Sequence, residues 1–179
     1  MSSQKEGNIV WIDLELTGLD VNKDSIIEIC VVITDSDLNI VDKGLSYTIK
    51  HDDEVYDNMN DWCKETFAKN GLLNDLKSAV LTTSEVENIV LEYIKKYCDY
   101  KKSPIAGNTV YMDRMFIMKH MPKIDEFLHY RIIDVSSVKE LVFRWYKKTY
   151  KKSVCGHRAR SDIFESIEEL KWYKKNFFI

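Results

Sequence analysis

The stretch IVWIDLELTGL, residues 9–19, is the part of the sequence from which the fold is best inferred. Residues 8–15 form a short apolar run rich in β-branched side chains, which is typical of a buried β-strand. Two more such runs follow at residues 25–34 and 39–50, with turn-forming residues between them. The pattern predicts three consecutive strands, which we expect to be antiparallel neighbours.

After these strands, apolar residues recur at helical spacing. Ser84 and Ser137 are each followed three residues later by glutamate, the spacing of a capping box at a helix start. Short apolar runs at 104–107 and 130–134 predict two further strands between helices, and residues 159–175 predict a last helix. This order favours an α/β fold with a mixed β-sheet flanked by α-helices on both sides.

Composition places the chain among ordinary globular proteins. Hydrophobic residues make up 45% and charged residues 31% of the sequence, so we expect a single domain over residues 1–179. No run approaches the roughly 20 apolar residues of a membrane helix, and the first eight residues are polar, so we expect no membrane association. They also show no arginine-rich presequence, which favours the cytoplasm and leaves mitochondria open.

Cysteine spacing and net charge exclude several kinds of site. The four cysteines lie far apart without a Cys-x-x-Cys pair, which argues against a zinc site or a disulfide scaffold. The net charge of −3 argues against binding long nucleic acid mainly by neutralising phosphates. If the protein handles nucleic acid, local features must hold the ligand.

Carboxylates at the end of the first strand point to a metal site. Strand alternation puts Asp13 and Glu15 on the same face, where they repel each other unless a cation or a proton lies between them. Asp113, early in a helix that follows a strand, could reach the same place, as could Asp162 five residues after His157. Two of these acids also have an ordinary alternative: Glu15 could be solvated, and Asp113 could simply favour a helix N-terminus.

Taken together, these residues resemble the DEDD exonucleases of the histidine subclass, which have a ribonuclease H-like fold. The segments similar to oligoribonucleases in particular are residues 9–19, 103–109, Asp113-Arg114-x-Phe116, Met121-Pro122 and residues 129–141. They extend over almost the whole chain. Proofreading exonucleases share only the scattered acids and the histidine, so the 129–141 block favours oligoribonuclease.

The resemblance implies hydrolysis of short single-stranded RNA, about two to five nucleotides long, from the 3′ end to 5′-mononucleotides, with stacking and end recognition supplying much of the affinity. It implies two Mg²⁺ or Mn²⁺ ions per site, a choice that oxygen-rich ligation also fits. The implied metal ligands are Asp13, Glu15, Asp113 and Asp162. His157 would be the general base, since imidazole titrates near neutral pH.

The same resemblance implies residues that hold the substrate. Leu19 would wedge against a base, Trp62 would cover another part of the ligand, and a group of polar side chains would cap the 5′ phosphate. The substrate-binding residues are Leu19, Trp62, Asn108, Thr109, Tyr130, Arg131, Ser136 and Ser137. Trp62 could instead belong to the core, and Ser136 and Ser137 could merely cap a helix. Oligoribonucleases are homodimers, and Tyr130 resembles the tyrosine through which the partner chain approaches the pocket.

Some positions depart from the family pattern. The run around the histidine is Gly-His-Arg-Ala-Arg-Ser-Asp, where Thr-His-x-Ala-x-x-Asp-Asp is more common, and Thr109 stands where a serine is expected. Neither change removes a catalytic group. Two other functions stay open: a 3′-5′ DNA exonuclease of proofreading type, and a non-catalytic nucleic-acid-binding module. The presence of all four acids and the histidine argues against the second.

Overall fold

The protein is built on one five-stranded sheet, as seen in a computed structural model that describes residues 5, 7–152 and 158–178. The strands are β1 (Ile9–Leu16), β2 (Ile26–Thr34), β3 (Ile40–Thr48), β4 (Ile105–Gly107) and β5 (Ile132–Asp134). Their spatial order is β3-β2-β1-β4-β5. Among the described residues, no helix has the length and apolar character needed to cross a membrane.

The sheet is mixed, as predicted. β1 pairs antiparallel with β2, and β2 pairs antiparallel with β3. β4 runs parallel to both β1 and β5. Every residue of β2 is buried, which explains its nearly continuous apolar sequence. Because β1, β4 and β5 are parallel, their carboxyl ends meet at one edge of the sheet, where ligands bind in many open α/β folds.

Eight helices lie among the described residues. They are α1 (Asp53–Asp57), α2 (Asp61–Lys69), α3 (Leu72–Lys77), α4 (Thr83–Tyr97), α5 (Val110–His120), α6 (Pro122–Phe127), α7 (Val135–Tyr146) and α8 (Ala159–Phe177). Apolar residues of α4, α5 and α6 share one core cluster with β1 and β2. A second cluster contains α7, α8 and residues of the same two strands, and a third joins α2 and α3 to Ile27. Helices thus flank the sheet as predicted.

The predicted start of α4 is wrong in its details. Thr82, not Ser84, is the N-cap: its backbone N–H and hydroxyl donate to Glu85, and its hydroxyl oxygen accepts from the Glu85 backbone N–H. The sequence TTSEVE contains two overlapping capping patterns, and spacing alone cannot choose between them. Glu87, assigned to the wrong capping box, is buried and accepts a hydrogen bond from the Lys123 backbone N–H at 2.7 Å.

The predicted cap of α7 is also wrong. Asp134, the last residue of β5, is its N-cap and accepts a hydrogen bond from the Ser136 backbone N–H at 2.9 Å. Asp134 also accepts from the Thr109 backbone N–H at 3.0 Å. This carboxylate therefore ties the end of β5 to the end of β4. Ser137 does not cap the helix and is exposed at its first turn.

Candidate active site

Three carboxylates converge where α8 begins beside the centre of the sheet. Asp13 and Glu15 lie on β1, and Asp162 lies in the first turn of α8, which packs against β1 and β2. One carboxylate oxygen from each residue lies within 4.8 Å of the others. This arrangement is consistent with the predicted placement of Asp13 and Glu15 on one face of the strand. Asp162 joins them although it lies 147 positions after Glu15 in the sequence.

The electrostatics of this cluster are unfavourable in the absence of a cation. Burial, followed by repulsion from Asp113 and Glu15, raises the pKa of Asp13 well above its usual range. Burial and repulsion from Glu28 raise the pKa of Glu15 to about 8. Neighbouring carboxylates in a poorly solvated place favour their protonated forms unless a positive charge compensates them.

Asp113 lies next to the cluster but is not one of its three closest members. Its Oδ1 accepts a hydrogen bond from the Leu14 backbone N–H at 3.0 Å. Since Leu14 stands between Asp13 and Glu15, this bond holds the Asp113 carboxylate against the same part of β1. Asp113 is 8% exposed, and burial raises its pKa to about 7 even though the Leu14 hydrogen bond opposes the shift. It repels Asp13, so it shares the same electrostatic environment.

This donor set fits divalent cations. The described members of the cluster are all carboxylates, and hard cations such as Mg²⁺, Mn²⁺ and Ca²⁺ prefer oxygen ligands, whereas structural zinc is usually bound by cysteine and histidine. The raised pKa values of the acids show the excess negative charge that a dication would offset. The site therefore has both the ligands and the charge for a divalent metal.

Glu28 is a residue of the site that the sequence analysis missed. It pairs with Glu15 across β1 and β2 and is 3% exposed. Its carboxylate accepts a hydrogen bond from Arg158 Nη2 at 2.8 Å and another from the Ala159 backbone N–H at 3.1 Å. Arg158 also donates to Asp75 at 2.8 Å. These contacts fix the beginning of α8, and hence Asp162, on the sheet.

The sequence did carry a signal for Glu28. It is the one charged residue in the otherwise apolar run IIEICVVIT, and a charge in a buried strand needs a partner. That partner lies 130 positions away, so the sequence could show the need but not the contact. The predicted general base, His157, precedes Arg158 and lies outside the described residues.

Two predicted substrate-binding residues, Leu19 and Trp62, line one cavity. It has a volume of about 550 Å³ and also includes Glu15 and Phe67 in its wall. The side chains of Leu19 and Trp62 are 73% and 59% exposed, so Trp62 is not a core residue. An apolar cavity beside the carboxylates can accept a flat aromatic ring such as a nucleobase.

The loop that carries Leu19 is shaped by Asp24. Its carboxylate accepts hydrogen bonds from the Thr17 hydroxyl at 3.0 Å and from the Asp20 backbone N–H at 2.8 Å. A Cβ atom on Gly18 would lie 2.5 Å from this carboxylate, so a larger residue at this position would displace the Asp24 side chain and disturb its hydrogen bonds.

The remaining predicted residues flank β4 and β5: Asn108 and Thr109 follow β4, Tyr130 and Arg131 precede β5, and Ser136 and Ser137 lie in the first turn of α7 after β5. Asn108 Oδ1 accepts from the Ser136 hydroxyl at 3.1 Å, and its amide donates to Ser166 and to Glu169. The Thr109 and Ser136 hydroxyl oxygens lie 3.0 Å apart. Asn108 is therefore engaged within the protein and supports its neighbours. The exposed residues of this group are Thr109, Tyr130, Arg131 and Ser137.

The fold and the carboxylate cluster define the class of protein. A family model described as "Exonuclease" matches residues 10–170. Exonuclease I from Methylocaldum szegediense superposes with a TM-score of 0.72 at 13% identity, over 95% of this chain and 41% of that one. Exonuclease I of E. coli in complex with a 5cy-dT13 oligonucleotide gives 0.73 at 12% identity, over 96% and 41%. The chain spans about two fifths of these longer chains, and the likeness shows a shared exonuclease fold of ribonuclease H-like type.

Curated relatives specify the family further. A probable oligoribonuclease of Dictyostelium discoideum is 50% identical, with 98% of this chain and 93% of the relative covered. One from Drosophila melanogaster is 48% identical over 96% and 82%, and the human mitochondrial oligoribonuclease is 47% identical over 95% and 73%. The chain belongs to the oligoribonuclease family of exonucleases.

Proposed function

We propose that this protein is a 3′-to-5′ exoribonuclease that degrades short oligoribonucleotides, especially dinucleotides, to 5′-mononucleotides. The similarity to curated oligoribonucleases over nearly the full chain carries the proposal. The convergence of Asp13, Glu15 and Asp162 supports it, because a phosphodiester hydrolase of this kind needs a cation site beside the reacting phosphate.

The proposed metal ligands are Asp13, Glu15, Asp113 and Asp162. They would hold two divalent ions per site, Mg²⁺ or Mn²⁺, since these cations prefer oxygen ligands. When bound, the ions supply Lewis-acid stabilisation of the charge that develops on the phosphate. Asp113, fixed by Leu14, keeps its carboxylate beside β1 before any substrate arrives, so little reorganisation is needed.

His157 is the proposed general base. An imidazole is the side chain whose ordinary pKa suits proton transfer near neutral pH, so a histidine at this position can take a proton from the attacking water. Support comes from its place in the chain, next to Arg158, which is bound to Glu28, and five residues before Asp162. We expect His157→Ala to reduce hydrolysis by about 10²- to 10⁴-fold, the usual contribution of a positioned general base.

The substrate would lie between the apolar cavity and the ends of β4 and β5. Leu19 and Trp62 would contact bases, while Arg131 and the hydroxyl groups of Thr109, Ser136 and Ser137 would bind the 5′ phosphate. A planar guanidinium suits phosphate, and hydroxyl groups can donate to its oxygens. Such a cap would favour chains of about two to five nucleotides, for which stacking replaces bulk charge.

A homodimer is part of the proposal. Eight of the exposed large apolar side chains lie on α5, β5 and α7, and apolar surface on these elements would suit contact with a second chain. They are Tyr111, Met115, Met118, Ile132, Leu141, Phe143, Trp145 and Tyr146. Tyr130, which is 72% exposed and precedes Ile132 by two residues, would reach the partner's pocket.

The cellular location is a separate prediction. Mouse and human relatives are named mitochondrial, so our cytoplasmic assignment stays a prediction that localisation of the tagged protein can test.

Hydrolysis of 5′-labelled RNA from two to ten nucleotides long, measured with Mg²⁺ beside a matched DNA series, tests the function. We expect rapid cleavage of the dinucleotide, slower cleavage of longer chains, and loss of activity in His157→Ala. Lys95→Ala, which removes an exposed ion pair with Glu92 on α4, is the control. Equal or faster cleavage of long DNA would indicate a proofreading-type exonuclease, and no cleavage would indicate a binding module.

A further inference from the structure

Arg114, which follows the proposed metal ligand Asp113, is largely enclosed by protein. Its side chain is 13% exposed. Nε and Nη2 each lie 2.9 Å from Asp125 Oδ1, and they form an ion pair between α5 and α6. The remaining nitrogen, Nη1, turns away from Asp125 toward the segment that precedes β5.

Nη1 of Arg114 binds that segment through consecutive backbone carbonyls. It donates to the carbonyl oxygens of His129 at 2.9 Å and Tyr130 at 3.0 Å, and the carbonyl oxygen of Arg131 lies 3.4 Å away. Such an arrangement requires the three carbonyl groups to turn toward one point. The guanidinium therefore determines the backbone path of residues 129–131.

The same segment is held from its other side. The His129 backbone N–H donates to the Ser103 carbonyl at 2.9 Å, and the Arg131 backbone N–H donates to His129 Nδ1 at 3.1 Å. The rings of His129 and Tyr130 stack with centroids 4.5 Å apart. The Arg131 guanidinium lies 5.4 Å from the Tyr130 ring. The backbone is fixed, while the side chains of Tyr130 and Arg131 stay exposed and available to a ligand.

We infer that Arg114 is a positioning residue that holds Tyr130 and Arg131 for recognition of the substrate's 5′-phosphorylated end. The inference rests on the proposed function. Asp113 binds β1 through Leu14, and the next residue on α5 binds the 129–131 segment. One turn of α5 thereby connects the strand that carries Asp13 and Glu15 to the segment that carries Tyr130 and Arg131.

The geometry requires arginine and not merely a positive charge. A guanidinium is a planar fork with five N–H donors, so it can bind a carboxylate on one edge and carbonyls on another. A lysine ammonium is a compact point charge on a flexible stem and cannot keep both sets of contacts. Arg114→Lys should thus preserve the charge and the helix while releasing the segment.

The test compares Arg114→Lys with the unchanged protein on two dinucleotides, pApA with a 5′ phosphate and ApA without one. We expect KM for pApA to rise by about 10-fold or more, the usual effect of losing a supporting contact, with kcat changed by less than about 2-fold. Kinetics on ApA should stay nearly unchanged. Arg144→Lys, an arginine in an exposed ion pair with Glu140, is the matched control.

A double-mutant cycle separates positioning from a general loss of stability. If Arg114 acts through Arg131, then Arg114→Lys should cost little more once Arg131→Ala is present. Asp125→Asn removes the charged partner that orients the guanidinium, so it provides a second variant should Arg114→Lys fold poorly, and it should raise KM for pApA while leaving ApA nearly unchanged. If Arg114→Lys raised KM equally for pApA and ApA, or if its effect simply added to that of Arg131→Ala, the inference about Arg114 would be overturned and the proposed function would stand. An unchanged protein that does not prefer pApA would overturn the proposed 5′ cap as well.

Discussion

Asp113 shows how one buried carboxylate can be unfavourable for folding and favourable for function. It is 8% exposed with a pKa raised to about 7 by burial, yet one backbone N–H holds it in place. Near neutral pH its negative charge costs stability, because its ionised form is poorly solvated. A divalent cation bound beside it would attract the ionised carboxylate and so stabilise its charged form.

We therefore expect Asp113→Asn to fold with an unchanged or slightly raised melting temperature and to lose activity. The amide oxygen can still accept from Leu14, but the charge that binds a cation is gone. Since a metal ligand contributes several kcal/mol to transition-state stabilisation, hydrolysis of pApA should fall by about 100-fold or more. Thermal unfolding without metal and initial rates with Mg²⁺ check both parts. Retained activity with a greatly lowered melting temperature would contradict the assignment.

Glu15 makes the stability of the metal-free protein depend on pH. Its pKa rises from an ordinary value of 4.5 to about 8 on folding, mainly through burial. Between these values the folded state binds more protons than the unfolded state, so this stabilising contribution is complete below pH 4.5 and declines as pH rises toward 8. Cation binding should offset the decline.

We expect Mg²⁺ to raise the melting temperature, and we expect this rise to be larger at pH 8 than at about pH 6. At a concentration 100 times the dissociation constant, binding adds about 2.7 kcal/mol, or roughly 5 to 10 °C for a chain of this size. Thermal unfolding with Mg²⁺ or with a chelator, at both pH values, measures the effect. Glu15→Gln should reduce the pH dependence, and an Mg²⁺ effect independent of pH would count against this view of the cluster.

At the scale of elements, α8 depends on β2 for its position. Glu28 binds both the Arg158 guanidinium and the Ala159 backbone N–H, so one carboxylate satisfies a charge and an N–H group at the start of the helix. Asp162 lies less than a turn further on. The position of a metal ligand therefore depends on a contact made outside the cluster.

Glu28→Gln should weaken both stability and activity. The charge-assisted hydrogen bonds of the buried carboxylate are worth about 1.5 to 3 kcal/mol, which corresponds to a melting temperature lower by roughly 3 to 12 °C. Asp37→Asn is the control, because it removes an exposed ion pair between Asp37 and Lys174 of α8. It should change the free energy of unfolding by less than about 0.5 kcal/mol. Urea unfolding of the two variants compares them. Equal effects would argue that Glu28 has no special part in holding α8.

The sequence predicts elements better than it predicts their contacts. Strands β1 to β3 and the last helix were predicted because their apolar periodicity is strong and local. The caps of α4 and α7 were assigned wrongly, since Thr82 and Asp134 compete with nearby serines of similar chemistry. The partners of Glu28 and Arg114 could not be predicted, because their contacts depend on how distant segments pack.

At the scale of the whole molecule, the proposed dimer would complete each active site. Tyr130 is 72% exposed, and it lies in the segment that Arg114 holds. If each chain lends this ring to the other chain's pocket, a two-fold symmetric pair contains two sites made of both chains. Sedimentation at micromolar concentration should then give twice the mass of one chain.

Mixing two defective variants would show whether Tyr130 acts across the interface. Asp113→Asn lacks a metal ligand but keeps Tyr130, whereas Tyr130→Ala keeps the carboxylates but lacks the ring. In a mixed dimer, the intact metal site of the Tyr130→Ala chain would receive Tyr130 from its partner. With random exchange of equal amounts, half of the dimers are mixed and each has one complete site, so activity on pApA should recover to about a quarter of normal. Each variant incubated alone is the control, and exchange is verified with two labels. Complete exchange without recovery would mean that Tyr130 serves its own chain or has no part in the site.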